Sequence, residues 1–239
     1  MKKLLIILAS MLSLFPVYSD GAVASTSWIA SYMDLAGIDD VTVIAPSSLR
    51  HPPEYELKPS DVATLMDADL FCYGGYEGMM KTIGDNITSP DRIDLKVNTG
   101  NSIENIKKET EKIAEVAGTE VRLDEYIAFI GKAREEVASS PIKDMKVLCH
   151  KMQLPLATDL GLDVVGTFGP ASPSAEEILS AVNGDYDIII DNVHNPVASP
   201  IAEVTDAEVV IWRNFPESTG HGALLEMVKG NVENLFAIL

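Results

Sequence analysis

Positive charge is in short supply in this chain. Eighteen lysines and arginines stand against 36 aspartates and glutamates, a formal net charge of −18 over 239 residues. A surface of that sign repels nucleic acid and anionic membranes, so neither is expected as a partner. It holds cations only loosely, because salt screens exposed charge within about 10 Å. Cysteine is scarcer still, with Cys72 and Cys149 the only two. Each closes an apolar run (Ala68–Tyr73, Met145–Cys149) and fits a core position; pairing in an oxidising compartment is the alternative. No apolar run beyond residue 14 approaches the roughly 18 residues that suggest a membrane span. Catalytic signatures are missing too. Gly74-Gly75 and the Gly166–Gly169 loop match neither a phosphate loop nor a dinucleotide fingerprint, and no nucleophile-elbow serine or HExxH pair occurs. No general base is recognisable. An enzyme is therefore not expected, with a metal-dependent hydrolase as the alternative.

What is present begins at the N-terminus. Lys2 and Lys3 precede an apolar run from Leu4 to Leu14, and Val17-Tyr18-Ser19 suits a signal peptidase. Residues 1–19 therefore read as a signal peptide cut after Ser19, with a retained anchor as the alternative. No cysteine stands near that cut to carry a lipid. The mature protein is expected to be soluble and periplasmic, or otherwise extracytoplasmic. It would keep 220 residues, 16 basic and 36 acidic. That length suits one large domain or two small ones.

Short β-branched runs alternate with segments of helical period, the pattern of stacked strand–helix units and parallel sheets. Strands are predicted at Ala22–Thr26, Val41–Ala45, Asp69–Tyr73 and Leu95–Val97. A second set falls at Lys146–Cys149, Asp163–Thr167, Asp187–Ile190 and Glu208–Trp212. Helices are predicted near Thr26–Ala36, Pro59–Met66, Tyr76–Gly84, Ser102–Ala117, Ser174–Ala181, Ala198–Val204 and His221–Ala237. Between the two strand sets, Leu123, Tyr126, Ile127, Ile130, Ala133 and Val137 recur at helical spacing, with Asp124 and Glu125 in the favoured first turn. The expected fold is α/β, with two lobes that each hold a roughly four-stranded parallel sheet flanked by helices. A single long backbone helix joins them. The divisions are 20–120 for the first lobe, 121–141 for the bridge and 142–239 for the second.

The chain has four histidines, His51, His150, His194 and His221. Each follows a predicted strand, and open α/β sheets bind ligands outside the carboxyl ends of their strands. Imidazoles gathered there suit zinc, manganese, iron or copper. The alternative is four unrelated loop histidines.

The run from His51 (His-Pro-Pro-Glu-Tyr-Glu-Leu-Lys-Pro-Ser-Asp, ending at Asp61) resembles the zinc- and manganese-binding solute-binding proteins of ABC transporters. Their pattern there is His-x-Tyr-x-Pro-x-Pro-Ser-Asp before a helix. Ala22–Pro46, Lys146–Pro170 and Ser172–Glu177 fit further segments of that family in order, so the resemblance covers most of residues 20–239. It implies two lobes on a bridging helix, a ligand held between them with little hinge closure, and delivery to an ABC permease of the inner membrane. The protein would act as a monomer.

Departures from the family pattern fall on the ligands themselves. The family's first ligand histidine aligns with Pro53, two residues beyond His51. Its second is missing near Asn98-Thr99-Gly100. Its acidic ligand falls in Trp212–Phe215, where no carboxylate stands before Glu217. Only His150 matches residue for residue. The expected site is accordingly a rearranged shell of His51, His150, His194 and His221, which suits zinc better than oxygen-preferring manganese. The alternative is a cleft for a non-metal solute or a metal chelate. Cys149, the Met79-Met80 pair, Met152, Asp191 and Glu217 are lesser ligand candidates, and Tyr55 and Glu56 lesser cleft candidates. Each has an ordinary core or loop role as its alternative.

Overall fold

The computed structural model describes residues 21–84 and 86–239; the expected signal peptide lies outside them. Eight strands form two four-stranded sheets among the described residues. The first holds β1 (Ala22–Ala24), β2 (Val41–Val43), β3 (Leu70–Tyr73) and β4 (Ile93–Lys96) in the order β2-β1-β3-β4. The second holds β5 (Lys146–His150), β6 (Asp163–Phe168), β7 (Ile188–Asn192) and β8 (Glu208–Trp212) in the order β6-β5-β7-β8. Every pairing is parallel. Parallel neighbours need long crossovers, and helices supply most of them.

In the first lobe these helices are α1 (Ser27–Leu35), α2 (Pro59–Asp67), α3 (Met80–Ile83) and α4 (Ile103–Ala117). The bridge is α5 (Asp124–Ala138), and the second lobe adds α6 (Leu154–Asp159), α7 (Ala175–Gly184), α8 (Ser199–Ala202) and α9 (Ala223–Phe236).

Burial follows sheet position. The inner strands β3 and β7 carry continuous apolar runs, Leu70-Phe71-Cys72 and Ile188-Ile189-Ile190, all buried. The edge strands β2, β4 and β6 are partly exposed. That contrast is expected when helices cover both faces of a parallel sheet. Both sheets share one winding order, so each reverses direction between its first and third strands. Ligands of open α/β sheets bind at such switch points.

The lobes share a core. Ala22 and Ala24 of β1, Tyr126, Ile130, Ala133 and Val137 of α5, and Val147, Cys149 and Ile190 of the second sheet belong to one apolar cluster. The buried face of α5 repeats at three and four residues, as an amphipathic helix should. Helix α1 is buried at all nine positions. The Ser27 hydroxyl donates to the Pro216 carbonyl at 2.8 Å, and the Asp159 carboxylate accepts from the Ile103 amide at 2.6 Å, each crossing from one lobe to the other. No helix among the described residues is long and apolar enough to cross a membrane.

Two local differences from the sequence reading affect the site. The helix predicted at Tyr76–Gly84 forms only over Met80–Ile83. Ahead of it the buried Glu77 carboxylate accepts the Gly74 and Gly75 amides at 2.8 and 2.7 Å, and the Ser25 hydroxyl as well. Those bonds hold residues 74–77 as a loop. Helix α6 was not predicted; at six residues, with Pro155 in its first turn, it is too short to show a period.

Candidate functional site

A cavity of about 390 Å³ opens where the carboxyl ends of both sheets face each other. Each strand contributes through the segment that follows it: Trp28 in the first turn of α1 after β1, His51 after β2, Tyr76 after β3, Thr99 after β4, Met152 after β5, Pro170 after β6, His194 after β7 and Phe215 after β8. The walls are mainly apolar. Trp28 and Phe215 meet edge to face at 5.1 Å across the lobe boundary. The Trp28 indole N–H donates to Asn101 Oδ1 at 2.8 Å, which fixes its ring. The Tyr76 ring packs over Gly74, where a Cβ would lie 2.2 Å from it. The polar lining consists of imidazoles, amides including Asn98, Asn192 and Asn214, and the hydroxyl-bearing Tyr76 and Thr99, and contains no carboxylate.

The four histidines separate into three situations. His194 is 7 % exposed and lines the cavity. Its Nδ1 lies 2.9 Å from the Arg50 carbonyl oxygen, which can only accept, so Nδ1 carries the proton. Its buried Nε2 therefore bears the lone pair and has no hydrogen-bond partner among the described residues. Burial pushes the ring's pKa below its ordinary 6.5, opposed by the Arg50 and Phe215 backbone and reinforced by the charges of Arg213 and His51. The ring is therefore neutral at pH 7, as a metal ligand must be. His51 shares the cavity, with its side chain 44 % exposed and 3.7 Å from Glu54.

His150 is placed differently. It ends β5, is fully buried and does not line the cavity. Its Nδ1 accepts the Met152 amide at 3.1 Å, which leaves the proton on Nε2 in the neutral ring. Gly169, at φ +74°, packs against that nitrogen. His221 lies elsewhere again. Its Nδ1 donates to Asp34 at the end of α1, 3.0 Å away, beside a depression formed with Val41 and Thr42 at the start of β2. That is the amino end of the first sheet, opposite the cleft. Among the described residues no group of three or more His, Cys, Asp or Glu side chains is placed to hold a metal ion. The structure thus brings His51 and His194 to one cavity and leaves His150 and His221 outside it. The four-imidazole shell expected from sequence is not assembled.

The lesser candidates divide as well. Burial pushes the Cys149 thiol up to about 12, so it stays protonated, and Cys72 likewise; both cysteines are free. Met79 is core, while Met152 lines the cavity and is 41 % exposed. Asp191 accepts the Asn192 and Ala198 amides at 2.8 and 3.0 Å and shapes the loop after β7. Glu217 pairs with Arg213 at 2.7 Å. Tyr55 donates to Asp61 at 2.8 Å, an anchoring role for its loop, and neither it nor the exposed Glu56 lines the cavity. Sequence reasoning missed Trp28, Tyr76, Asn192, Asn214 and Phe215. The rule that singled out the histidines, position just after a strand, applies equally to these five.

The residues lining the cavity offer imidazole, thioether, amide and hydroxyl groups. Such a set suits borderline and soft ions better than manganese, magnesium or calcium, which favour carboxylates and water.

A scan against protein-family models and a search of curated sequences find no match to this chain. Solved structures do match. A manganese-bound periplasmic metal-binding protein from Candidatus Liberibacter asiaticus aligns with a TM-score of 0.62 at 16 % identity, covering 90 % of this chain and 97 % of that one. Its cadmium-bound form gives 0.62 at 17 %, with the same coverage. The solute-binding protein FpvC from P. aeruginosa, in complex with Ni2+, gives 0.63 at 16 %, covering 90 % and 94 %. The chain therefore has the two-lobed α/β fold of periplasmic metal-binding proteins; identity this low establishes the fold alone.

Proposed function

We propose that this chain is an extracytoplasmic solute-binding protein of an ABC importer that takes a transition-metal ion, zinc in preference, between its lobes. One observation carries the reading. His194 lines the cavity, donates its Nδ1 proton to a backbone carbonyl, and keeps a buried Nε2 with no hydrogen-bond partner among the described residues. Metal-binding histidines are typically oriented in this way. His51 is the second imidazole at the cavity. The likeness to periplasmic metal-binding proteins supports the role, and the N-terminal nineteen residues support export. An ABC permease is the proposed partner, with the protein acting as a monomer and carrying no catalysis of its own.

A second reading has a specific observation in its favour. Two imidazoles and no carboxylate leave a first shell incomplete and supply no countercharge, which favours a metal arriving already chelated.

Thermal unfolding of the full chain after stripping with a chelator tests the proposal. Zinc at a hundredfold excess over Kd stabilises by about 2.7 kcal/mol, which raises Tm by several degrees in a chain of this size. His194→Ala should abolish the shift and His221→Ala should leave it. No shift with zinc, manganese, iron or copper sinks the proposal.

A further inference from the structure

A second cavity, of about 640 Å³, adjoins the first and shares His194 with it. Its lining includes Ser47, Ser48 and Arg50 from the loop after β2, and Arg213 and Glu217 from the loop after β8. The chain has five arginines against 36 acidic residues, and two of the five meet at this one cavity.

Both arginines are held by their backbones. The Arg50 carbonyl accepts the His194 Nδ1 proton, while Asn231 receives the Arg213 amide and donates to its carbonyl, both at 2.8 Å. Arg50 has no ionic partner among the described residues. Arg213 pairs only with Glu217, whose side chain is 70 % exposed. So exposed a pair is weak and is readily exchanged for another carboxylate. Arg213 also lies close enough to His194 for its charge to disfavour protonation of that ring.

Resting on the proposed metal-binding role of His194, we infer that the Arg50–Arg213 cavity is a carboxylate-binding subsite and that the solute is a metal ion carried by a small organic carboxylate chelator. The two cavities together far exceed the room a single ion needs. The chelator supplies the donors and the negative charge that the apolar cavity lacks. His194 Nε2 completes the metal's shell, and Trp28, Tyr76 and Phe215 cover the organic part. The guanidinium groups take a carboxylate oxygen not engaged by the metal, a geometry for which arginine is well suited.

Isothermal titration calorimetry on the full chain decides the matter with four ligands: zinc alone, zinc–citrate, zinc–picolinate and citrate alone. At least one zinc chelate should bind about tenfold or more tightly than zinc alone. Arg50→Gln and Arg213→Gln should each lose about tenfold of that affinity, the equivalent of one strong charge-assisted bond, and neither should weaken the binding of zinc alone. If neither chelate binds more tightly than zinc, or the arginine variants bind chelates as wild type does, the carboxylate subsite is overturned while the metal role of His194 stands. If citrate alone binds with full arginine dependence and His194→Ala changes nothing, the subsite stands without its chelated metal, and the metal reading fails instead.

Discussion

A neutral imidazole offers one donor and one acceptor, and the neighbour of one nitrogen decides what the other can do. His194 and His150 show both outcomes within one lobe. The Arg50 carbonyl, 144 residues away in sequence, holds the His194 proton on Nδ1 and frees Nε2. The Met152 amide, two residues away, occupies His150 Nδ1 and leaves the proton on Nε2. Sequence places both rings after strands; His194 does follow β7, whereas His150 is the last residue of β5, and the bond that sets the His194 tautomer is tertiary and has no local signature. His150, the one histidine that matched the family pattern, thus carries its proton on Nε2 and lies outside the cavity lining. Its fixed position makes Gly169 critical. A Cβ on Gly169 would lie 2.6 Å from His150 Nε2, on a backbone whose φ of +74° disfavours side chains. Gly169→Ala should cost about 1–3 kcal/mol in urea unfolding. A variant as stable as wild type would show that the ring has room to move.

The elements were more legible than the residues. All eight strands lie where short β-branched runs predict them, within two residues at most ends; the inner strands β3 and β7 are the clearest, because parallel strands buried on both faces read as apolar runs. The bridging helix α5 was legible for a related reason, its stripe of Tyr126, Ile130, Ala133 and Val137. Legibility failed where hydrogen bonds outside the periodic pattern set the backbone, as with Glu77 in the loop after β3. Helix α4 combines the two cases. Its start was predicted from Ser102, whose hydroxyl accepts the Asn105 amide at 3.2 Å. Its first amide, on Ile103, is satisfied at 2.6 Å by Asp159 of the other lobe, which no local pattern announces. Ser102→Ala and Asp159→Ala should each cost about 1 kcal/mol by urea denaturation. Their combined effect should depart from additivity, since both act on one helix end. Strict additivity would show the two contacts to be independent.

At the scale of the whole molecule the lobes are tied rather than merely adjacent. Their contacts include Ser27 to Pro216, Ile103 to Asp159, Asp34 to both His221 and the Gly222 amide at 3.0 Å, and the shared core along α5. Local protonation is therefore felt by the fold as a unit, and the two buried histidines set the direction. Burial lowers the pKa of both His150 and His194 below the ordinary 6.5. Above 6.5 neither the folded nor the unfolded chain protonates them, so they contribute no pH dependence. As pH falls through 6.5 the unfolded chain takes up protons that the folded chain refuses, and stability declines until the folded pKa values are passed. Asp159 works in the opposite sense, because burial holds its carboxyl above the ordinary 3.8 and acid then favours the fold. A window from pH 8 to pH 5 keeps most of the carboxylates out of the comparison. Metal-free protein should show a level Tm down to about pH 7 and a decline below it. His150→Gln and His194→Gln should each flatten that decline, since neither replacement titrates. A wild-type curve level to pH 5, or variants that decline as steeply as wild type, would show that burial of these rings does not govern stability. The same proton competes with metal for His194 Nε2, so the pH at which zinc is lost should lie below that of an exposed imidazole. Zinc titrations at pH 7, 6 and 5 read this directly, and loss of binding already complete at pH 6 would contradict it.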